Sequence, residues 1–210
     1  MYEIHHYPAE LIDVVHPAGG GRVVLRPVLP QDRELLDAFF HNLSSDARCN
    51  RFMHPLNDPP SRLLREFTEV DYTNHVALIA ETFVDGREIV IGEARYVRDA
   101  DNHLSAEFAI SLADAWQGKG LARFMLARLE RRAASAGVRR LSGEALATNK
   151  RMLSLAARAG YSISTSLGMP GAMRLEKKLI TPSGRESDEP TATDKHQGQA
   201  QDSQTIRSSC

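Results

Sequence analysis

The chain has 210 residues, 42% hydrophobic and 25% charged, with 26 Lys and Arg against 27 Asp and Glu and a formal net charge of -1. These are the proportions of a globular domain; they exclude a collagen-like, wholly disordered or disulfide-scaffolded chain and supply no bulk field for nucleic acid or an anionic membrane. Cys49 and Cys210 read as reduced thiols, Val76–Ala80 is the longest aliphatic run, far below the roughly 20 residues of a membrane span, and Met1-Tyr2-Glu3-Ile4 lacks a signal-peptide pattern, so a cytoplasmic protein is expected.

The first residues lead to Pro17-Ala18-Gly19-Gly20-Gly21, which predicts a flexible arm over 1–21. Val23-Val24-Leu25 reads as a buried strand stopped at Pro27. Gln31 to Asn42 carries Leu35, Leu36, Phe39 and Phe40 at helical spacing. Ser45 is expected to cap a short helix ending near Phe52, and Arg62 to Val70 forms a third helix. His75 to Phe83, Glu88 to Val97 and His103 to Leu112 are strands of an antiparallel meander turned at Asp85-Gly86 and at Asp99 to Asn102. The helical period returns from Gly120 to Ala136 and stops at Gly137. A strand over Arg140 to Leu146, a helix over Lys150 to Ala159, and strands over Tyr161 to Thr165 and Met173 to Ile180 complete the domain, taken as 22–180. From Thr181 onward Ile206 is the only large aliphatic residue, so 181–210 is expected to be a disordered polar tail. The order of elements predicts an α/β fold: a mixed, mostly antiparallel sheet with helices on both faces.

The stretch Ala106 to Phe124 runs from a strand through Gln117-Gly118-Lys119-Gly120-Leu121-Ala122 into a helix. Two glycines let a ligand approach the backbone, and the free N–H groups of a helix start attract phosphate. The turn is neither a P-loop nor a dinucleotide fingerprint, because the following residues and the spacing are wrong for both. It does meet the pyrophosphate motif of the GCN5-related N-acetyltransferases (GNAT) at Gln117, Gly120 and Ala122, which this chain resembles. The resemblance extends to Arg26-Pro27, Asp32, Asn149 and Gly160-Tyr161. Within the family the chain is similar to the acetyltransferase domain of bacterial Pat-type protein-lysine acetyltransferases. Leu43-Ser44-Ser45, Arg51-Phe52, Asp71-Tyr72, Ala94 to Asp99 and Ala106-Glu107-Phe108-Ala109 carry that likeness. The synthetase-like region that often accompanies such domains does not stand in this sequence.

The resemblance implies transfer of an acetyl group from acetyl-CoA, bound as cosubstrate, directly to a primary amine, with a protein lysine the expected acceptor. The alternatives are a small-molecule amine acceptor or a non-catalytic acyl-CoA-binding module. It also implies that N–H groups from Gln117, Gly118, Lys119, Gly120, Leu121 and Ala122 hold the pyrophosphate. The strand end Ala109, Ile110, Ser111 and Leu112 should splay from its neighbour to bond the pantetheine arm, and Asn149 should bond that arm or cap its helix. A monomer or homodimer is expected, without metal, nucleic acid or membrane.

A lysine amine with a pKa of about 10.4 is neutral only about once in a thousand near neutral pH, so the reaction calls for a general base. Strand alternation places Glu107 beside the small residues Ala109 and Ser111, and the resemblance takes Glu107 as that base; the competing reading is an ion pair with Arg95 or Arg98. The tyrosine that many family members use as general acid is replaced by Ala156, and Tyr161 reads as core, which leaves the acid unassigned. Trp116 is expected to pack, Arg123 to be solvated, His5 and His6 to be uninvolved, Asp71 and Tyr72 to shape a turn, and Cys49 to fill core.

Overall fold

A computed structural model of the protein describes residues 6–19, 21–56 and 60–180. The expectations for Met1 to His5, Gly20 and the tail 181–210 with Cys210 lie outside those residues. The strands are β1 Asp13–Val15, β2 Val23–Pro27, β3 His75–Val84, β4 Arg87–Arg98, β5 Ser105–Leu112, β6 Arg140–Leu146, β7 Ser162–Thr165 and β8 Ala172–Lys178. The helices are α1 Arg33–Asn42, α2 Ser45–Phe52, α3 Ser61–Thr68, α4 Leu121–Ser135 and α5 Lys150–Arg158.

All eight strands form one sheet in the order β1-β2-β3-β4-β5-β6-β8-β7. Only β5 and β6 run parallel, because α4 carries the chain from the end of one back to the start of the other. The other neighbouring pairs are antiparallel. β3 is apolar on both faces. Val76, Leu78 and Ala80 join the core under α4 and α5, while Ala77 and Ile79 join the one under α1 to α3. A strand covered on both sides reads as a continuous apolar run rather than an alternating one. Phe39, Phe40 and Leu36 of α1 seal the second core, and Met125, Leu126 and Leu129 of α4 seal the first.

Two local expectations are corrected. Ser44, not Ser45, caps α2: its hydroxyl accepts from the Ala47 N–H at 3.2 Å. The segment read as a loose arm contains β1, paired to β2 in the register Asp13↔Leu25 and Val15↔Val23. Tyr7 donates its hydroxyl to the Pro27 carbonyl at 3.1 Å, and Asp13 pairs with Arg128 of α4. Three strand residues carry no readable period, so this element is set by the edge of β2 and by an ion pair across the fold.

Candidate active site

β5 and β6 pair only from Ser105 to Glu107 against Arg140 to Ser142. Beyond Glu107 they part. β5 stays bonded to β4 as far as Leu112, while β6 stays bonded to β8 as far as Leu146. Gly143 marks the vertex, where a Cβ would lie 2.8 Å from the Phe108 ring and 2.9 Å from its carbonyl oxygen. The edge of β5 from Phe108 onward therefore faces a gap, and an extended ligand arm can pair with it as a strand would.

That gap opens into a cavity of about 1040 Å³. Ala109, Ile110, Ser111 and Leu112 of β5 form one wall and Glu144 and Ala145 of β6 another. Gln117, Gly118, Gly120 and Ala122 close one end and Asn149 the other side, while Ala47 and Arg51 of α2 cover the front. Gly118 and Gly120 adopt φ of +76° and +84°, the left-handed region that glycine enters without penalty. They turn the chain so that the first N–H groups of α4, which lack intrahelical partners, end the cavity with partial positive charge. Arg123, Lys150, Arg151 and Arg158 add full charges to its wall.

The expected cofactor residues divide in two. Ala109, Ile110, Ser111, Leu112, Gln117, Gly118, Gly120, Ala122 and Asn149 line the cavity; Lys119 and Leu121 do not. Leu121 is buried in the core, and the Lys119 ammonium lies 5.0 Å over the Trp116 ring. The Gln117 amide is engaged by protein: it donates to the Leu112 carbonyl at 3.1 Å and accepts from Arg151. It braces the turn across to α5. Asn149 caps α5, its side-chain oxygen accepting from the Met152 N–H at 3.1 Å.

Glu107 stands just before the strands part, exposed on the face away from α4 and outside the cavity wall. Partial burial, with the charge of Glu144 added, raises its carboxyl above the ordinary glutamate range, and Arg174 opposes that rise. Neither arginine offered as an alternative partner engages it. Arg95 binds Glu93 and the Phe67 carbonyl, and Arg98 donates to the Ala136 carbonyl. Glu144 enters the cavity wall from β6 and is held by the Ser166 hydroxyl at 2.7 Å.

Residues 22–162 match the family described as an acetyltransferase (GNAT) domain. The chain belongs to the GNAT acetyltransferase family. It is 34% identical over 136 residues to the acetyltransferase Pat of Mycolicibacterium smegmatis, covering 65% of this chain and 40% of that protein. It is 29% identical over 142 residues to the acetyltransferase PA5475 of Pseudomonas aeruginosa, covering 68% of this chain and 76% of that one. The crystal structure of the GNAT domain of S. lividans PAT superposes with a TM-score of 0.75 at 30% identity, over 83% of this chain and 100% of the other. The protein thus has the GNAT fold, and its mixed, mostly antiparallel sheet is the kind expected from the sequence, with β1 added at its edge.

Other residues of this GNAT chain fall where their chemistry sends them. Ala156, at the position of the family tyrosine, is wholly buried, and Tyr161 packs in the core against Phe108. No tyrosine lines the cavity among the described residues. Asp71 accepts from the N–H groups of Thr73, Asn74 and His75, and Tyr72 donates to the Val28 carbonyl, so both serve the turn. Arg123 does line the cavity, and Cys49 is half-buried on α2. Sequence reasoning assigned no role to the group formed by Arg51, Glu93, Arg95 and His75. Its one advance sign was Glu93 and Arg95 on a strand otherwise rich in apolar residues.

Proposed function

We propose that the protein moves an acetyl group from acetyl-CoA directly to a primary amine, with a protein lysine as the acceptor. The observation that carries this reading is Glu107, a carboxylate of raised proton affinity beside the opening of a cavity whose strand edge is free. The cavity fits the donor. Its glycine turn and helix start suit a pyrophosphate, its arginines and Lys150 suit the remaining phosphate, and the edge from Phe108 to Leu112 suits the pantetheine amides.

Glu107 takes a proton from the acceptor ammonium, and the neutral nitrogen attacks the thioester carbonyl carbon. As the C–N bond forms and the C–S bond breaks, backbone N–H groups near Ala109 and Ile110 hold the oxyanion, CoA leaves as thiolate, and the second proton on the acylated nitrogen passes to that thiolate through solvent. A thiolate with a pKa near 8.5 departs without a dedicated acid, which accords with the alanine at position 156. Glu107, Ser164, Arg174 and Lys178 are exposed on the same face of the sheet, so a polypeptide carrying a lysine can reach the carboxylate from that side.

The test follows the label from radioactive acetyl-CoA in the presence of cell extract or of a small-amine library. Label on protein lysines is the expected result. Label only on a small amine would replace the acceptor, and label on neither would overturn the reading.

A further inference from the structure

Arg51 of α2 and Arg95 of β4 share a single carboxylate. Glu93 is wholly buried, accepting from Arg51 Nε at 3.1 Å on one oxygen and from Arg95 on the other. The neighbouring His75 adds no negative charge, since it receives Arg95 Nη1 at 3.0 Å through a ring nitrogen. Asp71 is taken up by three backbone N–H groups and Glu66 by Arg62. Among the described residues the group therefore keeps one uncompensated positive charge beneath the cavity wall, and such a charge is expensive unless a counter-ion arrives.

Arg51 is where that charge is unsatisfied. Arg95 uses Nε, Nη1 and Nη2, whereas Arg51 Nη2 is buried with no partner among the described residues while its side chain is only 8% exposed. Phe52 and Phe67 hold the Arg51 guanidinium at 5.3 and 4.9 Å from their ring centres, so it is fixed without being neutralised. Ser111 stands opposite Glu93 in the sheet register, and its hydroxyl is also buried without a partner among the described residues. Arg51 and Ser111 both line the cavity. Asp46, Asp114 and Glu144 share that wall, but Asp46 is exposed, Asp114 is bonded to the Ser44 hydroxyl and Glu144 is bonded to Ser166.

Building on the proposed acyl transfer, we propose that Arg51 and Ser111 form a carboxylate-binding subsite within the reaction cavity. A guanidinium and a hydroxyl with unused donors are the pair that a carboxylate satisfies. Same-face residues of a strand lie about 7 Å apart, so Ser111 is one such step from Ala109, where the reacting carbonyl is placed. That span suits a carboxylate on the far end of a short dicarboxylic acyl group. The same subsite can instead take a carboxylate carried by the acceptor amine.

Calorimetry on the full chain separates the two sources. In the first arm, succinyl-CoA is compared with butyryl-CoA, which has the same number of acyl carbons and no charge. Binding of succinyl-CoA at least tenfold tighter, with the ratio reduced threefold or more in Ser111→Ala and lost in Arg51→Gln, assigns the subsite to the donor. In the second arm, lysine is compared with lysinamide on the CoA-bound protein. A preference for lysine that falls in the same variants assigns it to the acceptor. Ser111→Ala keeps the test informative if Arg51→Gln does not fold. Wild-type protein that binds acetyl-CoA but discriminates in neither arm overturns the subsite alone, as does a preference unchanged in Ser111→Ala. Failure to bind any acyl-CoA overturns the functional reading with it.

Discussion

Glu107 owes its place to alternation on β5: Phe108 and Leu112 go into the core under α4, so Glu107, Ala109 and Ser111 take the other face. Partial burial and the charge of Glu144 raise its proton affinity. A base must be unprotonated to act, so the acid limb of the rate profile should lie above the ordinary glutamate range, with activity rising as pH passes through the raised value. Glu107→Gln keeps the shape and removes the proton acceptor. Turnover at neutral pH should fall by about 10²–10⁴, with acetyl-CoA affinity unchanged. The deficit should narrow toward pH 10, where the acceptor amine arrives neutral. Steady-state rates against pH for both proteins check this; wild-type turnover in the variant would reject Glu107 and direct attention to Glu144. A variant that loses cofactor affinity would make Glu107 a support of the strand.

At the scale of elements, the turn into α4 makes the separate prediction that Gly120 serves both backbone and ligand. Its φ of +84° is costly for any side chain, yet a Cβ there meets no atom of the described residues within 4 Å. Packing leaves that space free, and the proposed pyrophosphate would use it. Gly120→Val should weaken acetyl-CoA binding at least tenfold, about 1.4 kcal/mol. The left-handed strain of about 1–2 kcal/mol should lower the melting temperature by a few degrees. Unchanged affinity in calorimetry with the fold intact would sink the assignment. This turn was legible because its parts are neighbours in the chain: strand, two glycines and helix. The meander and the five helices were legible for the same reason, their periods being local. β1 was not, since three residues at a sheet edge have no period and depend on β2 and Arg128. Arg51 with Glu93 and Ser111 was equally hidden, because Arg51 and Glu93 lie 42 residues apart and meet only when α2 folds over the sheet at β4 and β5.

Over the whole molecule, two titratable groups on β3 pull stability in opposite directions as pH changes. His75, at the start of β3, has its pKa lowered from 6.5 to about 4, first by burial and then by Arg95. The unfolded chain takes up a proton there before the folded one, so stability should be lost as pH falls from 6.5 toward 4. Glu81, farther along the same strand, has its pKa raised from 4.5 to about 7 by burial and by Glu88, with Arg26 opposing. The folded state holds that proton more tightly, so stability is fully present below 4.5 and lost as pH rises through 7. Each effect is on the order of 2–3 kcal/mol over its window, and between about pH 4.5 and 6.5 they offset one another. The wild-type melting temperature should therefore be nearly flat there. His75→Gln keeps an acceptor for Arg95 and removes one slope, so its melting temperature should fall with rising pH. Glu81→Gln should do the reverse, rising on the order of 5–10 °C from pH 4.5 to 6.5. Scanning calorimetry of the three proteins decides the matter. Two variants that both keep the wild-type profile would show that neither group is displaced from its ordinary titration. A change in His75→Gln alone would leave the slope assigned to Glu81 to a different residue, for which Glu107, raised in the same sense, is the next to replace.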